Sequence, residues 1–144
     1  MAGAGKLYTP ELLALAVALA DYPADASLPL HGQARSKSCG STLAADLALD
    51  GAGRIVALGL QVRACAVGQA AAAIFARAAT GHGAEEIAAS HGALSAWLAG
   101  TGDLPDWPGL AAIAPARAFP GRHGAIMLPW TAAREALSTA TAER

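Results

Sequence analysis

Charge of one sign is what this sequence lacks most plainly. Its 144 residues carry 10 Lys and Arg against 11 Asp and Glu, a formal net charge of −1, and like charges form no run. The basic footprint that nucleic-acid binding needs is absent, so no nucleic-acid partner is expected. Aromatic residues make up only 5% of the chain, while the hydrophobic share is 54%. Much of that share is alanine, a composition suited to Ala-rich helices packed closely on something else. Two cysteines are too few for a disulfide framework, and in a reducing compartment they are thiols more often than a bridge. No stretch reaches the ~20 uninterrupted apolar residues of a membrane span. Gln69 and Arg77 break the nearest candidate, between Ala64 and Ala79. Near the N-terminus, Lys6, the apolar run Leu12 to Ala20 and Ala24-Asp25-Ala26 imitate a secretory signal. Thr9-Pro10-Glu11 instead reads as a helix start, with a capping hydroxyl, a proline at the first helical position and an acid at the positive dipole end. The expectation is one soluble cytoplasmic domain, residues 1–144, with no membrane partner and a core large enough to fold without a metal or disulfide.

The element pattern is that of an α+β protein. A first helix is predicted from Thr9 to Ala20, with Leu12, Leu15, Ala16 and Leu19 on one face, ended by Tyr22-Pro23. Residues 23–38 read as loop or a poorly formed edge strand. Apolar positions Leu43, Ala45, Leu47 and Leu49 then alternate, Asp50-Gly51-Ala52-Gly53 supplies a turn, and Ile55 to Val62 continues as a second strand. Ala66 to Ala79 reads as a buried helix, and Ala84 to Leu98 as another. A Gly/Asp/Pro-rich loop covers 100–108, followed by a short helical piece from Leu110 to Ile113. A last helix is predicted to begin near Gly124 and cover Trp130 to Ala140, with Pro129 in or close to its first turn. The expected fold is a small antiparallel sheet of about three strands, with the hairpin at its centre, packed against several helices.

The hairpin carries Cys39 just before its first strand and Cys65 just after its second. Antiparallel pairing brings those outer ends together, so residues far apart in sequence become neighbours. Cys65 falls at a helix start, where backbone N–H groups favour a thiolate, and Arg63 is a nearby positive charge. Other residues suggest less. His31 and His82 sit in polar stretches, His91 lies mid-helix, and Trp97, Trp107 and Trp130 read as packing residues. No Gly-x-Ser-x-Gly elbow occurs, and Gly51-x-Gly53 is a hairpin turn without the helix a dinucleotide loop requires.

Ser38-Cys39-Gly40, the hairpin, and Arg63-Ala64-Cys65-Ala66-Val67-Gly68-Gln69-Ala70 resemble the IscU/NifU/SufU group of iron–sulfur cluster scaffold proteins. The late segment Pro120-x-Arg122-x-x-Ala125-x-x-Leu128-x-Trp130-x-Ala132 resembles the SufU-type approach to the final helix, and the extra residues Gly100 to Phe119 are also SufU-like. The resemblance runs from about Leu7 to Leu137. It implies an α+β scaffold fold and no enzymatic activity. It also implies binding of iron or a transient cluster by Cys39 and Cys65, sulfur received from a cysteine desulfurase, and delivery to apo iron–sulfur proteins. Three departures limit it. The family's third cysteine aligns with Ala125, its aspartate after Cys-Gly is Ser41, and the glycine before the second cysteine is Ala64. The histidine that precedes the third cysteine in IscU-type members is Gly124, with His123 one residue earlier.

Two thiolates are fewer than the three or four protein ligands zinc takes. His123 is the candidate third metal ligand, and two chains together would supply the four thiolates of a 2Fe–2S cluster, making a homodimer an option. Three functions stay open at this point. The first is a cluster scaffold or carrier; the second is a zinc- or persulfide-handling sulfur-transfer partner of a desulfurase. The third is a degenerate paralogue without metal. Arg122 fits either a surface charge or a residue that steers sulfur or a partner.

Overall fold

Thr9 opens the described part of the chain as a helix cap, its Oγ1 accepting from the Leu12 N–H at 3.1 Å. In the computed structural model, which describes residues 7–142, helix α1 spans Pro10–Ala18 and a single 3-10 turn follows over Leu19–Asp21. Three strands come next, β1 (Leu30–Arg35), β2 (Thr42–Leu49) and β3 (Ile55–Arg63). Then follow α2 (Ala66–Ala79), α3 (Ala84–Leu98), a 3-10 stretch over Leu110–Ala118, a 3-10 turn at Pro120–Arg122, and α4 (His123–Ala142).

The strands form one antiparallel sheet in the order β1-β2-β3. Thr42 pairs with Arg35 on one side and Arg63 on the other, and a register shift falls at Ala48/Leu49, beside the turn. Pairing of β2 with β3 places residue 39 and residue 65 at the same end of the sheet. Alternation sends Leu43, Ala45 and Leu47 inward. There Leu43, Ala45 and Leu60 meet Ala72 and Ala76 of α2 and Leu128 and Ala132 of α4. Small helix residues let both helices lie close on the sheet, the use expected of so much alanine.

Residues 23–38 are more regular than the sequence suggests, because β1 is a full edge strand of 6 residues. Its inward positions hold Gly32 and Ala34, which carry no strong strand signal. The reason is close approach by α4: a Cβ on Gly32 would lie 2.6 Å from the Ala136 amide nitrogen. Pro129 also departs from expectation. It is the seventh residue of α4, beyond the first turn of a helix that begins at His123, one residue before the expected start. Proline there has no N–H for the Ala125 carbonyl, yet the buried helix continues through it. The piece expected at Leu110 to Ile113 extends as 3-10 structure to Ala118.

A second core lies between α1, α2, α3 and the 3-10 stretch. Phe75 stacks on Trp107 at 5.3 Å, and Trp130 meets both edge-on, at 5.2 and 5.3 Å. The Trp107 indole donates to the Ile74 carbonyl at 3.0 Å. Trp97 is buried too, with the Arg117 guanidinium 6.0 Å from its ring centre, so all three tryptophans are packing residues. Among the described residues no helix is long and apolar enough to cross a membrane.

Candidate cysteine site

Cys39 sits in the loop between β1 and β2, a tight turn in which the Ser36 N–H donates to the Ser41 carbonyl at 2.8 Å and the Gly40 N–H to the Ser36 carbonyl at 3.0 Å. Gly40 adopts φ 71°, the left-handed conformation that closes the loop. The side chain of Cys39 is exposed, but its sulfur lies 3.0 Å from Ser41 Oγ and 3.4 Å from Ser36 Oγ. In the thiol form the Cys39 S–H donates to Ser36 Oγ, which lies 3.1 Å from Ser38 Oγ, while Ser38 Oγ donates to the Gly121 carbonyl at 3.4 Å; once the thiol ionises, the Ser36 hydroxyl turns its proton to the sulfur. Ser36 and Ser41, 3% and 7% exposed, are buried polar side chains, and both serve this one thiol. Hydroxyls that donate to the thiolate lower its pKa from 9.0 to about 7, with Ser36 the largest cause and Ser41 next; burial opposes them weakly.

Ser36 approaches this closely because of Gly124. A Cβ at that position would collide with Ser36 Oγ and lie 3.4 Å from Ser38 Oγ. The start of α4 is therefore a wall of the cysteine loop, and the absence of a side chain at Gly124 makes room for Ser36 beside Cys39.

Cys65 is the N-cap of α2, in extended conformation and partly exposed, with its carbonyl accepting from the Gln69 N–H at 2.9 Å. The Gln69 side chain donates to the Ala64 carbonyl at 3.0 Å and pins the same turn. Arg122 links the two cysteines electrostatically. Its pKa is raised first by a hydrogen bond from Nη2 to the Tyr8 hydroxyl at 3.4 Å, and further by Cys65 and then Cys39. Its Nε is buried and has no hydrogen-bond partner among the described residues.

His123 goes elsewhere. Its Nε2 lies 2.7 Å from the Arg117 carbonyl, to which it donates, and it lines a separate depression with Leu98, Gly100 and Pro120. Among the described residues no three His, Cys, Asp or Glu side chains form a group able to hold a metal ion. The structure thus does not gather His123 with Cys39 and Cys65. Ala125, aligned with the family's third cysteine, is fully buried beside the Cys65 turn: a Cβ on Gly68 would lie 2.6 Å from the Ala64 Cβ and 3.2 Å from the Ala125 Cβ. A methyl group at this position offers no metal donor. The remaining histidines all have partners away from the cysteines. His31 Nδ1 pairs with Asp46 at 2.6 Å, His82 stacks on Trp107, and His91 bonds Thr131 and Arg134.

The serines are what sequence reasoning missed. Ser36-Lys37-Ser38-Cys39-Gly40-Ser41 places three hydroxyls within three residues of a cysteine, a pattern visible in the chain. Reading Ser41 only as a lost aspartate hid its use as a donor.

The three-stranded antiparallel sheet packed against helices is the fold seen in NifU-like and SufU-like structures. The N-terminal NifU-like protein of Brucella abortus superposes with a TM-score of 0.88 at 25% identity, covering 96% of this chain and 97% of that one. A protein assigned as the iron–sulfur cluster assembly scaffold of the SUF system in Fervidobacterium islandicum AW-1 superposes at 0.80 with 18% identity, covering 94% and 99%. A further protein of unassigned function matches at 0.66 with 19% identity. No family model and no curated protein sequence matches the chain. The likeness to the IscU/NifU/SufU group read from the cysteine and late segments is thus borne out, and the chain is NifU/SufU-like in fold.

Proposed function

We propose that this chain serves iron–sulfur cluster assembly as a scaffold or carrier, with Cys39 as its sulfur acceptor. The observation that carries the reading is an exposed thiol whose pKa is lowered to about 7 by serine hydroxyls, at the same end of the sheet as Cys65. The named neighbours, one NifU-like and one a SUF-system scaffold, support the general role.

At neutral pH about half of Cys39 is thiolate, the form that attacks sulfur. The Cys39 thiolate would attack the terminal sulfur of a persulfide on a cysteine desulfurase. A new S–S bond forms to Cys39 as the S–S bond of the donor breaks, and the donor cysteine leaves as a thiolate. The transferred sulfur keeps its proton, and no external oxidant or reductant is consumed. Arg122, whose pKa is raised in part by Cys65 and Cys39, is a nearby cation whose field favours anionic sulfur.

Iron or a cluster is the cargo. Cys39 and Cys65 offer two thiolates, half the set a 2Fe–2S cluster takes, so the other ligands would come from a second copy or from the recipient apo-protein. His123 could join only after giving up the Arg117 carbonyl. A metal-free persulfide carrier is the second reading, favoured by the missing third donor among the described residues. Anaerobic reconstitution with iron, cysteine and a desulfurase separates the two. Charge-transfer absorption with bound iron and sulfide, lost in Cys39→Ala and in Cys65→Ala, supports the scaffold. Persulfide on Cys39 with no bound iron supports the carrier. Neither product on either cysteine would refute both. If His123→Ala binds metal as wild type does, His123 is no ligand.

A further inference from the structure

The outer face of the sheet, on the side away from α2 and α4, holds a shallow trough of about 430 Å³ beside the cysteine loop. Its floor is Thr42 and Ala44 of β2, both small. The register sets Arg35 and Arg63 on either side of Thr42, and Gln33 and Gln61 on either side of Ala44. Two strand spacings separate the arginine backbones, about 10 Å. Both arginines are exposed, and among the described residues neither makes a hydrogen bond or ion pair; the ion pairs there are His31–Asp46 and Arg54–Glu86. Lys37, in the cysteine loop, adds a third unpaired cation.

Carboxylates near the trough are already engaged. Asp46, the next residue of β2 on this face, takes His31 on one oxygen and the Asp25 N–H on the other. Glu135 of α4 takes the edge N–H of Gln33. No Asp or Glu occurs between residues 26 and 45 or between 51 and 84. In a chain with net charge −1, cations with no acids of their own on one sheet face are a local excess.

We propose that this trough docks an acidic segment of a partner protein. Carboxylates on alternate residues of an extended peptide stand about 7 Å apart on one side, within reach of two long arginine side chains. Arg35 and Arg63 would bind them as forked, charge-assisted pairs, while the Gln33 and Gln61 amides meet the peptide main chain over the flat floor. The partner so held would lie next to Cys39. The inference does not depend on what Cys39 carries.

The test uses the full chain and a fluorescein-labelled octapeptide of alternating glutamate and threonine, read by fluorescence anisotropy. Saturable binding is expected, weakened about tenfold in Arg35→Gln/Arg63→Gln, since two exposed forked pairs, each weak alone, are lost together. A charge-matched control, Arg77→Gln/Arg134→Gln, should bind within about twofold of wild type, as remote charges act only through screened fields. Arg35→Lys/Arg63→Lys, which keeps charge but not the fork, should fall between. Equal loss in the two glutamine pairs would overturn the proposal by reducing it to net charge. So would the absence of saturable binding, equal binding of the glutamine-for-glutamate peptide, or tighter binding of glutarate or single-stranded RNA than of the peptide.

Discussion

At the scale of single residues, the loop around Cys39 is where small changes should have the clearest effects. The thiol has its pKa lowered from 9.0 to about 7 because the thiolate gains hydroxyl donors that the thiol does not need. The rate of Cys39 alkylation by iodoacetamide should therefore inflect near pH 7, measured by mass spectrometry of the Cys39 peptide. Ser36→Ala and Ser41→Ala should each move the inflection upward, Ser36→Ala furthest, because Ser36 is the larger cause. The linkage has a definite sign. A lowered folded-state pKa stabilises the protein fully above the ordinary value of 9.0, and that contribution is lost as pH falls through about 7. Gly124→Ala should push the inflection the same way as Ser36→Ala, since its methyl group would occupy the place of Ser36 Oγ. An unchanged profile in Gly124→Ala would remove the wall of α4 from the explanation. The two cysteines and their shared end of the sheet were legible in the sequence. The cage was not, because it depends on Ser36 being driven inward by a helix that starts 87 positions later in the chain.

At the scale of elements, the β2–β3 hairpin, α2 and α3 follow from local pattern: alternation, a Gly-containing turn, and alanine-rich segments with clear ends. Strand β1 does not, and the reason is tertiary. Its inward residues are small because α4 lies against it, so the signal that usually marks a strand is replaced by a requirement for no side chain at all. Gly32→Ala should accordingly destabilise the fold by about 1–3 kcal/mol, the usual cost of overpacking, read from urea unfolding at constant m-value. Ala34→Gly on the same strand, with no such clash to create, serves as the comparison for backbone effects. Pro129 teaches the opposite lesson. Propensity puts a proline in or near a first turn, but α4 begins at His123 and runs on through Pro129, held by burial on both sides. The aromatic cluster is local to neither element, joining α2, the segment before the 3-10 stretch, and α4. Trp107→Ala should cost about 3–5 kcal/mol, the range for removing a large buried aromatic, and it would also strip the donor from the Ile74 carbonyl.

At the scale of the whole molecule, a NifU/SufU-like fold carries a site with few metal donors. Ala125 is buried, Ser41 bonds the Cys39 sulfur, and His123 is tied to the Arg117 carbonyl. What remains is two thiols at one end of the sheet, one of them activated, with Arg122 between their fields and a cationic trough alongside. That pattern fits a protein whose first chemical act is to take sulfur, with metal entering only when further ligands arrive. The most direct measurement is peptide-resolved mass spectrometry after anaerobic incubation with a cysteine desulfurase and cysteine. The expected result is the mass of one added sulfur on Cys39, absent in Cys39→Ala and slowed in Ser36→Ala at neutral pH. Sulfur found on Cys65 alone, or on neither cysteine while the desulfurase turns over, would contradict the role given to Cys39.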